Sequence, residues 1–190
     1  MLQKNGIRRI AYAAIMGALM IVLQVAMAPL PNIELVSFLV LAFTLYDARL
    51  ARAAIAIFVV AEGLIFGFHL WWACYLYVWY VLHFVTLALR RWASPLFCAV
   101  LCGAFGLFFG TLCSVPYFFT LGPAGGFAWI LSGLLFDIAH CIGNFCLALV
   151  LYTPVMRVLS HLPAPKTDSV GQSVVQDAKE AAAPNGHSPQ

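Results

Sequence analysis

Residues 127–152, FAWILSGLLFDIAHCIGNFCLALVLY, decide what kind of molecule this chain is. The run is long enough to cross a bilayer, for which ~20 apolar residues suffice. It nevertheless carries Asp137, His140 and Asn144. Their offsets place all three on one face of a helix. At ~1.5 Å per residue, Asp137 falls near mid-membrane. A carboxylate there costs a few kcal/mol unless it faces protein, water or a ligand. Trp129 and Gly133 extend the same face toward one membrane surface. The face therefore reads as one wall of a polar pocket.

The remainder of the chain fits this reading. Of 190 residues, 64% are hydrophobic and only 9% charged, against about a quarter charged in soluble domains. The apolar runs are continuous, without the alternation of a membrane barrel, so the spans are helical. Five further runs precede the first one quoted: about 7–28, a short one after Asn32-Ile33-Glu34 that ends at Tyr46, 53–68, 72–89 and 95–119. The expected fold is all-α: an integral membrane protein of six transmembrane helices in residues 1–158. Residues 159–190, rich in Pro, Ser and Ala, read as a disordered cytoplasmic tail. With six spans every Lys and Arg lies on one side: the N-terminus, the 47–52 loop, Arg90–Arg91 and the tail. The positive-inside rule makes that side, with both termini, cytoplasmic, in a multi-pass protein of the cell membrane. The net charge of +3 is scattered among loops and implies no nucleic-acid partner.

Three acids lie outside the cytoplasmic loops and tail: Glu34, Glu62 and Asp137. Asn32, His69, Trp71, Trp72, Tyr75, Tyr117 and Trp129 fall toward the same outer side. Together they outline a pocket that opens outward, with aromatic faces for stacking and polar groups for orientation. Glu62 and Asp137 are the stronger functional candidates, because buried membrane carboxylates are costly; Glu34 reads equally well as solvated. The histidines sit at different depths without paired spacing, so no metal or haem site is expected. Ser132-Gly133 is half of an intramembrane-protease motif, and His140 on the same helix is too far along the axis to act as its base. The six cysteines form no CxxC pair and read as small core or lipid-facing side chains without a disulfide framework. No phosphate-binding loop and no GxGxxG is present; the chain is expected to be no enzyme and to hold no cofactor itself. Uphill transport would draw on protons through Glu62 or Asp137, as in a stand-alone proton-coupled permease, or on a separate ATPase. The first span contains Ala13–Gly17 and Ala14–Ala18, spacings that let another helix approach closely.

The small-residue motif Ala14-Ile-Met-Gly-Ala18, the short second span after Pro-Asn-Ile-Glu (31–34), and the late Phe-Asp-Ile-x-His with Gly-Asn (136–144) resemble a known family. The layout is similar to the substrate-binding S component of energy-coupling factor (ECF) vitamin transporters. The resemblance covers about residues 7–158. It implies a subunit that binds a vitamin-like molecule from outside, with a transmembrane coupling subunit and two ATP-consuming ATPase subunits as separate partners. Ala14 and Ala18 then form the docking face for the coupling subunit. Glu34, Glu62, Trp72, Tyr75, Trp129, Asp137, His140 and Asn144 become the pocket. Cobalamin is the first expectation for the ligand, from the flavour of residues 31–34 and 110–117, and a riboflavin-type molecule the second.

Overall fold

The computed structural model describes residues 2–30 and 32–162. Among them the chain is helical throughout: α1 (Leu2–Met27), α2 (Val36–Tyr46), α3 (Ala48–Phe66), α4 (Leu70–Tyr75), α5 (Val78–Leu89), α6 (Pro95–Cys113) and α7 (Val115–His161). Four segments are long and apolar enough to cross a membrane: Gly6–Met27, Leu70–Trp92, Pro95–Cys113 and Val115–His161. Large apolar side chains point out of the bundle, among them Leu131, Leu135 and Val150 at 73%, 79% and 70% exposure. Water would oppose such a surface and lipid accommodates it.

The short second run is the centre of the bundle. All eleven residues of α2 are buried, as expected of a helix that is apolar all round. It starts beside the C-terminal end of α1 and ends at Asp47, where Arg9 of α1 approaches at 3.5 Å. Asp47 makes this corner in a single residue. Its N–H closes α2 on the Phe43 carbonyl, and its Oδ1 accepts from the N–H groups of Arg49 and Leu50 at 2.8 and 3.0 Å to start α3. Asp47→Ala is expected to cost about 1–2 kcal/mol through loss of this cap, and Asp47→Asn much less; unfolding in detergent reads the difference.

Several boundaries differ from the sequence expectation. The fourth run is interrupted: α4 ends at Tyr75 and α5 begins at Val78. Tyr77, in the break, donates its hydroxyl to the Leu112 carbonyl at 2.6 Å and so ties the interruption to α6. The fifth run does not continue to 119 as one helix. α6 stops at Cys113, and Pro116 lies in the first turn of α7, where its missing N–H costs nothing. The connection between the fifth and sixth runs breaks at Gly122, whose φ of 70° interrupts α7 and suits a residue without Cβ. Pro123 then restarts the helix. The chain reverses there, because Tyr117 stacks on Trp129 at 3.8 Å and Phe118 meets Phe127 edge-on at 5.3 Å. The last helix continues to His161, past the boundary expected at 158. Nearly all of the tail expected over 159–190 lies outside the described residues.

Beyond Gly122 the last helix runs antiparallel to α6. Gly103 faces Cys141 and Phe145, Gly106 faces the backbone of His140, and Gly110 faces the Asp137 carboxylate. Glycines at these positions let two backbones approach as they would not with side chains between them.

Candidate ligand-binding site

Two cavities open at the end of the bundle opposite Arg9 and Asp47. One, of about 140 Å³, is bordered by Glu34, Trp71, Tyr75, Trp79, Phe109 and His140, beneath the C-terminal turn of α1. The other, of about 260 Å³, is bordered by Gly110, Cys113, Trp129, Ser132, Phe136 and Asp137. Asn32, Trp71 and Phe109 line both and form the partition between them. Asn32 holds φ at 55°, a left-handed conformation that asparagine tolerates better than most residues.

Glu34 is buried, at 9% exposure, so the solvated reading does not hold. Its Oε2 accepts from the Ser37 N–H at 2.9 Å and its Oε1 from His140 Nε2 at 3.0 Å. Burial pushes the carboxyl up; the hydrogen bond and charge of His140, with the Ser37 N–H, outweigh that and hold it below its ordinary value. Glu34 comes from the loop before α2 and His140 from the last helix, so the pair clamps the first third of the chain to the last. His140 also packs edge-on against Phe109, with ring centroids 4.9 Å apart.

Asp137 borders the larger cavity, and its Oδ1 accepts from the Gly110 N–H at 2.9 Å. The aromatic wall is continuous: Trp71 meets Tyr75 at 4.7 Å, Tyr75 meets Trp79 at 5.3 Å, and Trp79 meets Phe109 at 5.6 Å. Trp71, Tyr75 and Trp79 repeat every fourth residue, so they stay on one side despite the break between α4 and α5. That spacing was the available signal for Trp79. Phe109 had none, because it is one phenylalanine in an apolar run.

Of the eight expected pocket residues, the structure brings Glu34, Tyr75, Trp129, Asp137 and His140 to the cavities. Trp72 turns instead to α3, where its indole N–H donates to the Val59 carbonyl at 2.9 Å. Glu62 is buried in α3 and borders neither cavity; its Oε1 has no hydrogen-bond partner among the described residues. Asn144 is buried one turn beyond His140, and neither end of its amide finds a partner there. No cluster of metal-ligating side chains occurs among the described residues.

The two overlapping motifs of α1 separate in space. Ala13 and Gly17 are buried, and Gly17 lies against Ala54 and Ile57 of α3. Ala14 and Ala18 face outward. Ala14 also lines a groove between α1 and α3, with Arg9 and Arg49 at one end.

The fold and site define a class: an all-helical protein whose apolar helices suit a membrane, with a polar and aromatic cavity at one end. No family model, curated protein or solved structure matches the chain.

Proposed function

We propose that the chain crosses the cell membrane six times with both termini in the cytoplasm, and binds a small vitamin-like molecule from outside as the S component of an ECF-type importer. The six spans are α1, α2, α3, α4 with α5, α6, and α7 beyond Gly122. The observation that carries the reading is the paired cavity, where three aromatic rings in sequence and two polar anchors, Glu34–His140 and Asp137, converge at an end that bears no Lys or Arg among the described residues. Rings favour a flat heteroaromatic ligand, and the carboxylates favour a neutral or cationic one over an anion. A corrinoid is far larger than these cavities, so a single fused ring system of riboflavin type is the better fit than cobalamin. Energy comes from ATP in separate ATPase subunits, reached through a coupling subunit that docks on Ala14 and Ala18, the small residues α1 leaves uncovered.

Changing Ala14 and Ala18 together to leucine should lower ATP-dependent uptake at least about tenfold, equivalent to about 1.4 kcal/mol of docking. Ligand affinity of the purified subunit should stay as it was. Loss of binding together with uptake would sink the division of labour. A second reading rests on Glu62, a buried intramembrane acid with one oxygen unpartnered among the described residues: a stand-alone proton-coupled permease. It requires uptake to collapse with a protonophore while ATP is held constant.

A further inference from the structure

Cys74 and Cys113 are the last but one residue of α4 and the last residue of α6. Both are buried, at 0% and 2% exposure. Their sulfurs lie 2.8 Å apart, and the other four cysteines make no such contact among the described residues. A neighbouring contact holds them in register, since the Tyr77 hydroxyl donates to the Leu112 carbonyl, three residues beyond the one cysteine and one before the other. Both stand at the cavity end of the bundle, where Cys113 borders the larger cavity and Cys74 follows Trp71 by one helical turn. Among the described residues no Lys or Arg lies at that end, which on the proposed topology faces the outer, oxidising compartment.

We propose that Cys74 and Cys113 form a disulfide in the mature protein. It joins two walls of the ligand cavity: α4, which carries Trp71 and Tyr75, and the end of α6, which carries Gly110. The oxidant is a protein disulfide of the outer compartment. One thiolate attacks it to give a mixed disulfide and one free thiol of the donor. The second cysteine displaces the donor's other sulfur, so two thiols here become one disulfide and the donor disulfide becomes two thiols. The reaction occurs before α4 and α6 pack, because the finished site shields both sulfurs. Once closed in, the bond is protected from small reductants for the same reason.

The test counts thiols. Cells are quenched in acid, and the full-length protein is denatured and alkylated with and without prior reduction. Of the six cysteines, four should react without reductant and all six after it, and digestion should yield a peptide pair joined through Cys74 and Cys113, lighter by about two hydrogens than the reduced pair. Cys74→Ser and Cys113→Ser should each leave five cysteines that all react without reductant. Six reactive cysteines before reduction overturn the proposal, and so does a cross-link between any other pair. The chemistry is read on denatured chain, so a variant that fails to fold still reports.

Discussion

Gly106→Val should abolish recovery of folded protein, and Gly106→Ala should lower its stability by about 2–3 kcal/mol, at the upper end for overpacked sites. A Cβ at this position would lie 2.8 Å from both the carbonyl carbon and oxygen of His140 and 3.0 Å from the Cys141 nitrogen. These are backbone atoms of a packed helix and cannot swing aside. Gly103 offers a graded comparison: its Cβ would meet Phe145 at 3.2 Å and the Cys141 carbonyl at 3.3 Å, so alanine there should cost less. Gly133, with nothing within 4 Å of its would-be Cβ, should accept alanine without loss of stability. Thermal unfolding followed by size-exclusion chromatography in one detergent ranks the three. Equal midpoints for Gly106→Ala and Gly133→Ala would refute the close approach of α6 and the last helix.

The second large effect belongs to the clamp. Glu34→Ala and His140→Ala should each cost about 3 kcal/mol, because either change leaves a buried polar partner uncompensated. The double variant should cost clearly less than the sum, with a coupling of about 1–3 kcal/mol. Both should also remove ligand binding if the smaller cavity is the site. The pH dependence has a definite sign. Glu34 is held below its ordinary value of 4.5, so its contribution is fully present above that value and is lost as pH falls through the lowered native one. Glu34→Gln should remove this acid sensitivity while keeping an acceptor for His140. Additive single costs, or an unchanged acid profile in Glu34→Gln, would contradict the pair.

Helices and their burial were legible wherever hydropathy alone determines them. The face of Asp137 and His140 followed from helical spacing, and both side chains do reach the cavities. Contacts between distant segments were not legible. Nothing local to Glu34 announces a partner 106 residues away, so a carboxylate after a proline-rich turn reads as solvated. Trp72 and Trp71 are adjacent, and a hundred degrees of helical rotation decides that one faces the cavity and the other bonds α3. The same holds for Cys74 and Cys113, which carry no motif because each lies in its own helix. The break at residues 76 and 77 sits within a continuous apolar run, where no glycine or proline marks it.

The glycine seam of α6 and the last helix, folded about Gly122, has a bearing on how the chain assembles. Its two strands of contact are near neighbours in sequence, so little chain must be ordered before they meet. This helical hairpin can zip together within the bilayer by itself. The clamp of Glu34 on His140 is of the opposite kind, joining segments 106 residues apart. Far more chain must be ordered before that contact, which borders the smaller cavity, can form. A molecule bound in that cavity would raise the yield of folded protein by favouring the state in which these two distant segments have met.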